Sequence, residues 1–204
     1  MTVTQTLIDA IKNSKFALLS ATNPSSNPEL ATALKFWEKI LENSEAVILL
    51  LKHDLNVQAS AIHRISIEHL ANLAALLKGV CTLEQLQKKA VADIAKQARL
   101  LSESEEKSPV LTDDNKSALA GLRGRLTVKE DEEKAQNTFN LLAECGLSCF
   151  YVEYRTISLG AAHSTLVSII QSDSLEEAEK LKESVMNLLQ FPAALLDDYM
   201  QKRQ

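Results

Sequence analysis

The stretch VQASAIHRISIEHLANLAALLKG, residues 57–79, decides the fold class. Ile62, Ile65, Ile67, Leu70, Leu73, Leu76 and Leu77 recur at helical spacing but spread over more than one stripe. That is the pattern of a helix packed on several sides rather than resting on one. Gly79 supplies the left-handed residue that commonly closes such a helix. The sequence therefore predicts a central helix from about Val57 to Leu77, with the rest of the fold assembled around it.

Working outward from this helix, the same periodicity recurs in both directions. A first helix is predicted from Val3 to Ala21, with Leu7, Ile8, Ile11, Lys15 and Leu18 at helical spacing. The turn Asn23-Pro24-Ser25-Ser26-Asn27-Pro28 ends as a helix start, with Asn27 as cap and Pro28 at the first helical position. That helix runs to about Lys52, and the pattern breaks at His53-Asp54-Leu55-Asn56. Downstream, Thr82 with Gln85, Thr127 with Glu130 and Ser174 with Glu177 each form a capping-box pattern. They predict helices to about Leu101, to Gly146 and to Gln190. Thr112 caps a short helix to about Leu126, Ser148 caps one from about Cys149 to Gln171, and Pro192 restarts a short terminal helix near Tyr199.

Composition agrees with this reading. Of the 204 residues 46% are apolar but only 4% aromatic, and five Gly with four Pro leave little material for the turns of a β fold. The expectation is an all-α, single-domain bundle of seven to nine helices spanning 1–204. The Ser-, Glu- and Asp-rich segment 102–114, with Pro109, is expected to be an exposed internal loop.

The net charge of −5 gives no global attraction for phosphates, so any nucleic acid needs a local site. Lys116 to Lys129, with Arg123, Gly124 and Arg125, is locally basic, and reads as a solvated face or a backbone contact. The longest apolar run, Ala46 to Leu51, is far short of the ~20 residues that span a bilayer. The N-terminus lacks the basic and apolar regions of a signal peptide, and three cysteines form no bridge framework, so a cytoplasmic location without membrane association is expected. No metal or cofactor is expected: His63 and His69 fall on different faces of one helix, and Glu-x-x-His pairs and glycine-rich phosphate loops are both missing. Cys145 and Cys149 are read as inert thiols.

Two polar groups interrupt otherwise apolar helices. Arg64, Glu68 and Asn72, spaced i, i+4, i+8, lie along one side of the central helix. An arginine there requires a hydrogen-bonded partner, which Glu68 can supply, and the pair reads first as a structural strut, since buried ion pairs commonly fix packing without doing chemistry. The second group is Tyr154, Arg155, Ser158 and His163. On an ideal helix Arg155 and His163 stand about 80° apart around the axis and about 12 Å along it. A neutral imidazole can act as general base and a guanidinium can stabilise a pentavalent phosphorus transition state, which suits cleavage of RNA by its own 2′-hydroxyl. The competing reading has His163 bonding across the bundle to Glu68 or Tyr154.

The pattern His63-Arg64-Ile-Ser-Ile-Glu68-His69-Leu-Ala-Asn72, followed by Tyr154-Arg155-Thr-Ile-Ser158 and His163, resembles an uncharacterised bacterial family of helical proteins. In outline it is similar to the HEPN superfamily of helical bundles. The resemblance covers about 45–170. It implies a dimeric, metal-independent ribonuclease, or a degenerate relative, in a bacterial defence or toxin setting. Arg155 and His163 would be catalytic, Glu68 and Arg64 would orient them, and Tyr154 and Ser158 would support them. The signature of that superfamily is an arginine followed by a nearby histidine; here seven residues separate Arg155 from His163, a longer gap than the signature has, and Thr156 stands in the place of its usual polar residue. The alternative is a non-catalytic module that binds a protein partner or a second copy, its polar cluster fixing helix register alone.

Overall fold

A computed structural model of the chain describes residues 3–21, 27–107, 111–125, 137–160 and 175–203. Within them are eight helices and no strand: α1 (Val3–Ala21), α2 (Pro28–Leu51), α3 (Asn56–Lys78), α4 (Leu83–Lys107), α5 (Asp113–Arg125), α6 (Thr138–Glu144), α7 (Cys149–Gly160) and α8 (Leu175–Gln201). The fold is all-α. The sequence predicts one domain; the residues group into two compact units, 1–81 with 138–204, and 82–137.

In the larger unit α3 packs against α2, α6, α7 and α8, which is why apolar residues surround it. Its Ala59, Ile67, Leu70, Leu73 and Leu76 are buried, together with Leu7 of α1, Trp37 and Ile40 of α2, Leu142 of α6 and Leu188 of α8. The helix ends are built as their residues dictate. Asn27 accepts from the amides of Glu29 and Leu30 with Pro28 following it, and Gly79 closes α3 in the left-handed region at φ 69°. Asp54 holds the α2–α3 turn at φ 56°, a conformation that disfavours a side chain. One buried polar pair fastens α1 to α2, where the Trp37 indole donates to Ser14 Oγ at 2.9 Å.

The smaller unit is a hairpin of α4 and α5. Its Thr82–Gln85 capping box is closed in both directions, at 2.8 and 3.2 Å. Lys116 of α5 pairs with Glu105 of α4 at 3.1 Å, and Glu105 also accepts from the amide of Leu111.

Two expectations are corrected. Residues 102–107 continue α4 rather than forming a loop, because Glu and Lys are good helix formers, and 113–114 already belong to α5. Pro192 does not restart a helix but lies inside α8. Its ring is fully buried next to Leu188, Leu189 and Leu195, so packing outweighs the lost backbone donor. Thr127, Glu130, Ser174 and residues 161–171 lie outside the described residues, and with them both remaining capping boxes.

Candidate functional site

The site begins on α3. Arg64 and Glu68 stand one turn apart, and Nη2 of Arg64 lies 3.2 Å from Oε1 of Glu68. From α7, Tyr154 and Ser158 are also one turn apart and face the same arginine. Arg64 donates from Nε to Ser158 Oγ and from Nη2 to the Tyr154 hydroxyl, both at 2.6 Å. The Tyr154 hydroxyl donates to Glu68 Oε1 at 3.0 Å, and Ser158 donates back to the carbonyl of Tyr154. Of the residues singled out in the two polar groups of the sequence, Arg64, Glu68, Tyr154 and Ser158 thus form one closed network. Arg64 and Glu68 are partly exposed, at 20% and 34%, so the cluster sits at the edge of the core. Burial, with the Glu68 charge next in effect, pushes the Tyr154 phenol above its ordinary value against the opposing pull of Arg64.

Arg155 is exposed and makes no hydrogen bond or ion pair among the described residues. Following Tyr154 by one residue, it is turned about 100° away around the helix. It shares the outer face of α7 with Val152, Thr156 and Leu159, all exposed. His163 lies outside the described residues. Glu68 and Tyr154, the partners that the competing reading gives it, both engage Arg64. Asn72 is half-buried one turn beyond Glu68 and stands apart from the network.

An aromatic row leads away from the cluster. The Phe139 and Tyr151 rings lie 4.6 Å apart, and Tyr151 stacks on Tyr154 at 6.1 Å and 20°. Arg64 completes the row with its guanidinium carbon 4.5 Å from the Tyr154 ring centroid. Phe139 is 47% exposed, so the row opens to solvent at one end. Composition hid this feature: the chain has few aromatic residues, but three of them gather here.

A second polar cluster was not anticipated. His63, adjacent to Arg64 and only 1% exposed, places Nε2 2.9 Å from Ser184 Oγ of α8 and 3.2 Å from Glu153 Oε1 of α7. Ser184 also donates to Glu153 Oε1. Burial pushes the Glu153 carboxyl up, but the hydrogen bond and charge of His63, with the Ser184 hydroxyl, hold it below its ordinary value. The signals were present in part: His63 continues the buried stripe of Ala59, Ser66, Ile67 and Leu70, and Glu153 is the only acid in α7. What the sequence lacked was the register of α8, which supplies Ser184.

His69 is half-buried against Phe36, ring centroids 5.7 Å apart, on another face of α3. Among the described residues no group of three His, Cys, Asp or Glu side chains is placed to hold a metal ion. Nor is any described helix long and apolar enough to cross a membrane.

Fold and site together define an all-α bundle in which α3 and α7 are joined by two polar clusters. The chain belongs to a family of unknown function, DUF5677, whose model matches residues 30–180. That span contains Arg64, Glu68, Tyr154, Arg155 and Ser158. No curated protein and no solved structure matches the chain.

Proposed function

We propose that this chain is an RNA-directed helical protein of HEPN-like type, acting on single-stranded segments without a metal. The aromatic row of Phe139, Tyr151 and Tyr154, ending on Arg64, carries this reading. Single-stranded RNA is held by stacking unpaired bases on aromatic rings and guanidinium planes, and a row open at one end is such a platform. In this reading Arg155 neutralises the phosphate and His163 takes the proton of the 2′-hydroxyl. Attack of the 2′-oxygen on phosphorus then breaks the bond to the 5′-oxygen, which takes a proton from water and departs as a hydroxyl, leaving a 2′,3′-cyclic phosphate. Glu68, Arg64, Tyr154 and Ser158 act as positioning residues that fix the rotation of α7, and with it the direction of Arg155.

The test is incubation of labelled single-stranded and hairpin RNAs with the full chain in chelator. Wild type is compared with Arg155→Ala, His163→Ala and Tyr151→Ala. Cleavage lost in the first two, with binding about tenfold weaker in the third, is the expected result. A wild type that neither binds nor cleaves RNA overturns the reading.

A second reading rests on its own observation. Nε and Nη2 of Arg64 and the hydroxyls of Tyr154 and Ser158 all find partners inside the cluster. A non-catalytic module, with the cluster setting register and the outer face of α7 meeting a protein partner or a second copy, fits such self-sufficiency. It is the reading that survives if RNA is ignored.

A further inference from the structure

A groove of about 550 Å³ runs between α7 and α8, on the side where Glu153 and Ser184 meet. Its volume is that of a small-molecule site. Its walls combine two kinds of group. Phe150 and Phe191 form an edge-to-face pair with centroids 5.1 Å apart, and Glu153, Glu183, Asn187 and Gln190 supply oxygen acceptors. Aromatic faces and carboxylates share one preference, for positive charge.

The carboxylate of Glu153 is built into place. His63, sealed in the core, and Ser184 both engage Oε1, while Oε2 has no partner among the described residues and the side chain is 29% exposed. One oxygen is thus anchored from behind, and the other is left unpartnered among the described residues on a side chain that lines the groove. Keeping a carboxylate here costs desolvation that an apolar contact between α7 and α8 would avoid. Holding an oriented, ionised acceptor before a ligand arrives is what that cost can sustain. Lys180, the one cation among the described residues of the groove, is paired with Glu176 at 2.7 Å, whereas Glu183 has no ion pair among them.

We propose that this groove binds a small organic cation, an ammonium or guanidinium compound, with Glu153 Oε2 as its anchor. Glu183 supplies the second charge, and the Phe150–Phe191 pair the face against which the cation rests. His63 and Ser184 are positioning residues that set the direction of the carboxylate. This site is separate from the Arg64 cluster and stands whether or not the chain acts on RNA.

Calorimetric titration of the full chain with agmatine and with putrescine tests it, with glutarate as the oppositely charged control. The expected result is saturable one-to-one binding of at least one cation and none of glutarate. Affinity should fall about tenfold in Glu153→Gln, the loss of one charge-assisted hydrogen bond, and several-fold in Glu183→Gln. Glu183 is exposed, so its variant keeps the fold and the test survives if Glu153→Gln unfolds. Absence of saturable binding through the millimolar range overturns the proposal. So does binding that Glu183→Gln leaves unchanged, or equal binding of glutarate.

Discussion

Arg64 lies over the ring of Tyr154, its guanidinium carbon 4.5 Å from the centroid, while its Nη2 donates to the hydroxyl of the same residue at 2.6 Å. One side chain of α7 thus meets the arginine through its π face and through its oxygen, and Ser158 one turn on takes Nε. Two adjacent residues of α3, His63 and Arg64, engage two adjacent residues of α7, Glu153 and Tyr154. Consecutive helical positions point about 100° apart, so the two contacts fix both the rotation and the register of α7.

Removing parts of this network should cost stability in a fixed order. Tyr154→Phe leaves Arg64 with Glu68 and Ser158, and is expected to cost about 1 kcal/mol. Arg64→Ala leaves Glu68, Tyr154 and Ser158 without their common donor, and should cost about 2 kcal/mol, tempered by the partial exposure of the pair. Urea unfolding at pH 7 measures both. Equal losses, or none for Arg64→Ala, would show that the network contributes little to folding.

How much of this was legible in the sequence follows from range. Arg64 and Glu68, and Tyr154 and Ser158, are i, i+4 pairs, so their shared faces could be read from spacing alone. The sequence offered Glu68 as the arginine's partner, whereas the bonds from Arg64 to Tyr154 and Ser158 come from the packing of α7 on α3. Glu153 and Ser184 were not legible, because their meeting depends on the antiparallel register of α7 and α8, which no local pattern encodes. Residues 102–107 read as a loop on composition, but Glu and Lys suit an exposed helix face equally well, and Glu105 there pairs with Lys116 and accepts from the Leu111 amide. At Pro192 the expectation fails because burial offsets what its missing amide forfeits.

Backbone conformation gives a pair of opposite expectations. At Gly79, φ 69°, an added Cβ meets nothing within 4 Å, so Gly79→Ala carries the left-handed backbone cost alone, about 1 kcal/mol. At Asp54, φ 56°, the same cost is already present, and Asp54→Gly should relieve part of it and leave stability equal or slightly higher. Thermal unfolding of both variants checks the signs. A neutral Gly79→Ala would mean that α3 can end in another way.

The thiols should separate by environment. Burial pushes Cys145 up to about 11, against the pull of Lys78, while Cys149 is exposed. Since the thiolate is the nucleophile, iodoacetamide at pH 8 should modify Cys149 readily and leave Cys145 protected until unfolding. Peptide mass mapping after a short exposure reads this directly. Alkylation of Cys145 at the rate of Cys149 would place the α6–α7 turn in an opening equilibrium.

Acidification should weaken the fold in two steps, each with its own residue. At His69 burial is the chief cause that holds the imidazole below its ordinary value of 6.5; Lys39 adds to it, and Glu68 and Glu42 oppose it. A lowered folded value means that the unfolded chain binds the proton more tightly. The contribution of His69 is therefore complete above pH 6.5 and is lost as pH falls through the folded value. Glu153, also lowered, contributes above its ordinary 4.5 and loses that contribution at pH values below it. Urea midpoints followed from pH 8 down to about pH 3 should decline first below pH 6.5, and His69→Gln should flatten that first limb while keeping the second. Glu153→Gln should do the reverse. If both variants retain the full wild-type profile, the acid sensitivity belongs to other groups and neither side chain is linked to folding as its surroundings require.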